Sequence, residues 1–237
     1  MTHTFLGGKM LPEFITEEFI EKFEQKVTGY SQMFYFPLKA ELLEEVIYNA
    51  LKETGTNSEW EPSSHKKGTD IEVPDSNEAM SIKSGIFKLK NDPELSISSH
   101  RSTTYETLAE KIEFFDGDGK NYSSYLVLAR EEDEKDKKRI YQLLYIPANF
   151  ITASSLDWVK EYNKKGKHKG WATKKYKKHG VKIEIRKAMS DQFWIFAKKR
   201  ALQKNSKVVE ICSFEFDYDY LGKLNSLLNK EETHANQ

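Results

Sequence analysis

Residues Gly68 to Gly85 read GTDIEVPDSNEAMSIKSG. Within them, TDIEV (69–73) and MSIKSG (80–85) alternate polar and apolar residues as neighbouring strands do, and the turn-rich PDSNEA (74–79) joins them. Pairing across that turn brings Asp70 and Lys83 to one place. Strand side chains alternate between faces, so Ser81 shares a face with Lys83, and Glu72 with Asp70. A carboxylate can hold Mg²⁺, and an adjacent ammonium can orient water and offset charge on a phosphoryl group. The pair therefore suits phosphodiester hydrolysis; the plain alternative is an ordinary cross-strand ion pair.

Outward from this hairpin, the chain alternates helical and strand patterns. ITEEFIEKFEQKVTGY (15–30) has apolar residues at helical spacing, Thr16 as N-cap and Gly29 near its stop. In PLKAELLEEVIYNALKETG (37–55), Leu42, Leu43, Val46, Ile47, Ala50 and Leu51 form one apolar stripe between Pro37 and Gly55. ELSISS (94–99) reads as a third strand and STTYETLAEKIEFF (102–115) as a third helix. YSSYLVLAR (122–130) and RIYQLLYIPANF (139–150) read as apolar strands around the charged hairpin tip EEDEKDKK (131–138). LDWVKEYNKK (156–165) has the spacing of a short helix. VKIEIRKA (181–188), DQFWIFAK (191–198) and KVVEICSFEF (207–216) read as strands, and YDYLGKLNSLLNK (218–230) as a closing helix. The order predicts an α/β (α+β) fold with a central mixed β-sheet flanked by helices.

The order of a glutamate-bearing helix, then GTD, then a hairpin, then SIKSG resembles the PD-(D/E)XK nuclease core, and more narrowly a type II restriction endonuclease, over roughly residues 37 to 115. In that family an aspartate at the start of one strand and an acid-x-lysine on the next surround a divalent metal, often assisted by a glutamate on the preceding helix. The resemblance makes Asp70 the metal-holding aspartate, Lys83 the catalytic lysine and Glu44 the helix glutamate. The sequence departs from the pattern at Ser81, which stands where the second acid is usual, so a carboxylate from elsewhere has to complete the Mg²⁺ site. Glu106 is one candidate, on the helix after the third strand; Thr103-x-x-Glu106 also has the form of a capping box.

Composition sets bounds on the rest. The chain has 237 residues, enough for one large domain, with 38% apolar and 13% aromatic residues. We read 1–237 as a single domain with its core at about 37–150 and a DNA-recognition region at about 154–200. No stretch has the length of apolar residues that a membrane span needs, which favours a cytoplasmic protein. Cys212, the single cysteine, lies in an apolar run and reads as a core residue, excluding an internal disulfide and a thiolate zinc site.

Formal net charge is zero, yet residues 157–187 carry twelve Lys and Arg against three acidic residues, interleaved with aromatics and glycines. Lys169, Lys174, Lys175, Lys177 and Lys178 suit the phosphates of double-stranded DNA, or else form a solvated lysine-rich face. Base reading falls to Arg186, Ser190, Asp191 and Gln192 in RKAMSDQFW (186–194). His100 and Arg101, between the third strand and its following helix, suit a phosphate contact. The leading expectation is a Mg²⁺-dependent, sequence-specific DNA endonuclease working as a homodimer. The alternatives are a repair or structure-specific nuclease with the same core, or a nucleic-acid-binding module in which Asp70 and Lys83 merely pair.

Overall fold

A computed structural model describes residues 4–6, 9–39, 41–61, 68–88, 92–117, 122–133, 135–174 and 180–217. A small hairpin of β1 (Thr4–Leu6) and β2 (Lys9–Leu11) leads into helices α1 (Glu17–Met33) and α2 (Glu41–Glu53). The strands β3 (Glu59–Trp60), β4 (Ile71–Val73), β5 (Glu78–Lys88) and β6 (Glu94–Arg101) follow, then helix α3 (Leu108–Asp116) and the long pair β7 (Ser124–Asp133) and β8 (Lys138–Pro147). The chain continues through β9 (Trp158–Tyr162), β10 (His168–Thr173), β11 (Val181–Arg186) and β12 (Gln192–Lys198), the short helix α4 (Lys199–Lys204) and β13 (Val209–Asp217). The result is a mixed α+β fold built on one large mixed sheet, ordered β13-β8-β7-β5-β6-β12-β11-β10-β9, with β3 and β4 branching from β5.

The core has two faces, which is why the central strands read as continuous apolar runs. On one side, Phe19, Phe23 and Val27 of α1 and Leu43, Ile47 and Leu51 of α2 pack on Met80, Ile82, Leu126, Leu128 and Leu143. On the other, Phe115 of α3 joins Leu95, Ile97, Val127, Ile146, Ile183 and Phe193. Cys212 lies half-buried against the first cluster, and burial pushes its thiol up to about 12. Among the described residues no helix is long and apolar enough to cross a membrane.

Several local expectations are corrected by tertiary partners. Helix α1 does start on Thr16, whose Oγ1 accepts the Phe19 N–H at 3.1 Å, but it passes through Gly29 and ends where Phe34 turns extended. Leu42 of the expected α2 stripe is 51% exposed; the buried face is Leu43, Ile47, Ala50 and Leu51. The capping box at α3 uses Thr107 and Glu110, not Thr103 and Glu106, so the helix starts later than the pattern suggested. Residues 158–162, expected to be helical, form β9 instead. They pair with β10 through a hairpin in which Asn163 Oδ1 accepts the Lys165 and Lys167 N–H groups at 2.9 and 3.0 Å. The available edge of β10 overrides the helical spacing of Trp158, Val159 and Tyr162. The closing helix expected at 218–230 lies outside the described residues.

One buried polar cluster locks the β6–α3 turn to the β11–β12 turn. Lys111, 1% exposed, donates from Nζ to the carbonyls of Ser102 (2.7 Å) and Tyr105 and to Asp191 Oδ2 (3.0 Å). The Asp191 carbonyl in turn accepts from the N–H and hydroxyl of Ser102. Lys111→Met should therefore leave Asp191 and two carbonyls without their donor and cost about 3–5 kcal/mol in urea unfolding. A loss under about 1 kcal/mol would show that water replaces the ammonium readily.

Candidate active site

The sheet forks at β5. On one edge β7 runs parallel to it from Met80 to Ile86. On the other edge, among the described residues, β4 pairs only with Glu78–Met80 and β6 only with Ile86–Lys88, while the opposite edge of β6 is paired with β12 from Glu94 to Arg101. Gly85 sits at the apex of this fork, where a Cβ would come within 2.5 Å of Leu95 Cδ1 on β6. Among the described residues, the backbone of β5 between the two prongs has no strand partner on that edge.

Asp70 fills the gap. Its N–H extends the β4 ladder to Met80 O at 2.9 Å, and its Oδ2 takes the orphaned Ile82 N–H at 2.7 Å. The same oxygen accepts Lys83 Nζ at 2.9 Å and Ser81 Oγ at 3.3 Å, while Lys83 Nζ also donates to Ile82 O at 2.9 Å. Asp70, Ser81 and Lys83 are thus brought together as the hairpin pattern required. The Asp70 and Lys83 side chains keep 20% and 21% of their surface in contact with solvent. Among the described residues Asp70 Oδ1 takes no hydrogen bond, so one oxygen of the carboxylate stays open for another ligand.

Glu44 reaches the same site from α2. It follows the buried Leu43, and its Oε2 accepts Trp60 Nε1 at 3.3 Å. Trp60, on the two-residue strand β3 and packed against Tyr48 of α2, had no signature in the sequence. Burial first, and the Asp70 charge second, raise the Glu44 pKa above the ordinary carboxylate value; the Trp60 hydrogen bond and the Lys83 charge oppose them. Two carboxylates that repel each other and one open oxygen fit Mg²⁺, which binds through one or two carboxylates and keeps several waters. Among the described residues no group of three His, Cys, Asp or Glu side chains gathers, and Glu106 stands exposed in the turn before α3.

On the opposite prong stands a polar chain whose two tyrosines sequence reading missed. His100 Nε2 lies 3.0 Å from the Tyr122 hydroxyl, which donates to the Tyr125 hydroxyl at 2.5 Å, and Tyr125 meets Ser99 Oγ at 3.0 Å. Burial, foremost, raises the pKa of both tyrosines, so they stay neutral. Arg101, beyond His100, is exposed.

The remaining sequence candidates lie on the outer wing of the sheet. Lys169 is exposed and faces Glu161 at 3.5 Å; Lys174 is exposed at the end of β10; Lys175, Lys177 and Lys178 lie outside the described residues. Arg186 is engaged by Glu184 at 2.7–2.8 Å and stacks over Trp194 and Phe196 at 4.9 and 5.2 Å. Asp191 is held by Lys111, Gln192 Nε2 donates to Ser99 O at 3.2 Å, and Ser190 is exposed with φ 58°. Within the expected base-reading set, Asp191 and Gln192 are thus tied to the β6 side, Arg186 keeps 35% of its side chain exposed, and Ser190 is exposed.

Glu44 provides a pH test. A carboxyl whose folded pKa lies above its unfolded one binds its proton more tightly when folded, so stability is lost as pH rises from the unfolded pKa through the folded one. Glu44→Gln keeps an oxygen for Trp60 and removes that cost. Its Tm should exceed that of the parent at about pH 7 and match it below about pH 4, where both states of the parent are protonated. A Tm difference independent of pH would remove Glu44 from the electrostatic site. No protein-family model, curated protein or solved structure matches this chain.

Proposed function

We propose that this protein is a Mg²⁺-dependent endonuclease that hydrolyses double-stranded DNA at specific sites, of the type II restriction class. The observation that carries the reading is the fork of β5, where Asp70 is held by Ile82 N–H and Lys83 with one oxygen open, and Glu44 adds its charge from α2. The order α2, β4, β5, β6, α3, β7, with β5 antiparallel to β4 and β6 and parallel to β7, supports the resemblance to the PD-(D/E)XK core.

In this reading Asp70 and Glu44 hold the cation, which when bound offsets charge on the phosphoryl oxygens and lowers the pKa of water. Lys83, tethered to Asp70 and Ile82 O, presents its remaining proton to the attacking water or to a phosphoryl oxygen. Ser81 donates to Asp70 rather than supplying a second acid, which leaves Glu44 as that carboxylate's replacement. Exposed Lys160, Lys164, Lys165, Lys167, Lys169 and Lys174 on the β9–β10 wing contact DNA phosphates. Two such centres in a two-fold homodimer cut both strands of a palindromic site. A non-catalytic nucleic-acid-binding module is the second reading, favoured by the fact that the Asp70–Lys83 pair is already closed at 2.9 Å.

Incubating plasmid DNA with the protein and Mg²⁺ separates these. The nuclease reading expects discrete fragments, with Asp70→Ala and Lys83→Ala each slowing cleavage by about 100-fold or more. Binding without cutting would favour the second reading, and smears would favour a nuclease without site specificity. Replacing Lys164, Lys165, Lys167 and Lys174 with glutamine should reduce the salt dependence of DNA binding by up to about one unit of log–log slope per lost contact. An unchanged slope would move the phosphate contacts elsewhere.

A further inference from the structure

The approach to Asp70 is shaped by the opposite prong of the fork. Gly68, two residues earlier, has φ +82°, and a Cβ there would stand 3.2 Å from His100 Nδ1 and 3.3 Å from Tyr122 Cε1. The backbone that delivers Asp70 therefore runs in close contact with an imidazole–phenol pair. That pair is firmly held. The His100 ring packs at 5.7 and 6.0 Å from Phe114 and Phe115 of α3 and at 5.3 Å from Tyr122, just ahead of β7. Its Nε2 joins the hydrogen-bonded run through Tyr122 and Tyr125 to Ser99. Three parts of the chain, β6, α3 and the lead into β7, thus converge on one ring, and the ring faces Gly68.

We propose that His100, fixed by Tyr122, is a positioning residue of the metal site: its ring is the stop against which Gly68 seats, and that seat sets where the Asp70 carboxylate stands relative to Ile82, Lys83 and Glu44. The assignment rests on the nuclease reading for its metal and on packing alone for its seat. It differs from a phosphate contact by His100, because a stop acts through Asp70 and leaves DNA affinity in the absence of metal untouched. Without the ring, Gly68 and Thr69 gain room to shift, and the open oxygen of Asp70 loses its fixed direction. Groups that orient a metal ligand in this way typically change metal affinity or activity by about 10–100-fold.

The test uses the whole chain and two independent readouts. Mg²⁺ binding is measured by calorimetry without DNA, and cleavage rate is measured against Mg²⁺ concentration. His100→Ala and the milder Tyr122→Phe should both raise the half-saturating Mg²⁺, His100→Ala by about tenfold or more. Excess Mg²⁺ should restore the maximal rate, His100→Gln should restore part of the affinity, and metal-free DNA binding should match the parent. Reduced DNA affinity with an unchanged Mg²⁺ requirement would overturn the proposal. The second readout is thermal unfolding of Gly68→Ala, His100→Ala and the double variant. Removing the ring should relieve part of the clash made by the new methyl, so the double variant loses less than the sum of the singles; additive losses would overturn the seat. If the parent neither binds Mg²⁺ nor cuts DNA, the nuclease reading fails, while non-additivity in this cycle still upholds the seat and additivity still rejects it.

Discussion

The hydrogen bond from Ile82 N–H to Asp70 Oδ2 is the contact around which this molecule is arranged. A sheet that splits leaves backbone donors along the inner edge of the fork, and a half-buried amide without a partner is costly. Here the partner is a carboxylate. One side chain thereby finishes the ladder begun by Asp70 N–H, draws Lys83 and Ser81 to the same point, and, among the described residues, leaves its other oxygen without a hydrogen bond. The need of the backbone for a partner and the clustering of Lys83 and Ser81 are thus met by the same carboxylate.

The rest of the fold holds the fork open. β7 fixes the far edge of β5 over seven residue pairs, so the strand cannot close the gap by shifting its register. Gly85 lets Leu95 pack tightly at the apex. Beyond the apex, β6 stays paired with β12 on its other edge, and the buried Lys111 pins the β6–α3 turn to Asp191 at the end of that neighbouring hairpin. α2 rests its apolar face on the other side of the sheet and carries Glu44 to the rim, where Trp60 holds it near a charge of the same sign. The site is assembled from residues far apart in the chain, each held by packing some distance away.

Charge is distributed in keeping with that division of labour. Around the fork the acidic groups face inward and one is penalised by burial and by its neighbour, a state that a bound cation would relieve. On the outer wing the lysines of β9 and β10 point to solvent, while Arg186 and Lys182 are absorbed by Glu184 and by aromatic faces. A neutral chain thus keeps a basic surface at one end of its sheet and an acidic site near the middle.

The hairpin of residues 69–85 was legible in the sequence because its information is local: period-two alternation, a turn between, and polar residues placed on one face. The same holds for the Thr16 cap and for the apolar stripe that buries Leu43, Ile47 and Leu51. What tertiary structure alone decided is where local signals were weak or met a stronger partner. Residues 158–162 have helical spacing but lie beside a strand with a free edge, and the ladder prevailed. Trp60 stands on a strand of two residues, too short to leave a pattern, and Tyr122 and Tyr125 read simply as core. Asp191 looked like a surface group able to read bases, yet a lysine eighty residues away in the chain takes its charge. Alternation can specify that two strands pair, but the fork, the open oxygen of Asp70 and the ring behind Gly68 depend on separations in space that no run of neighbouring residues encodes.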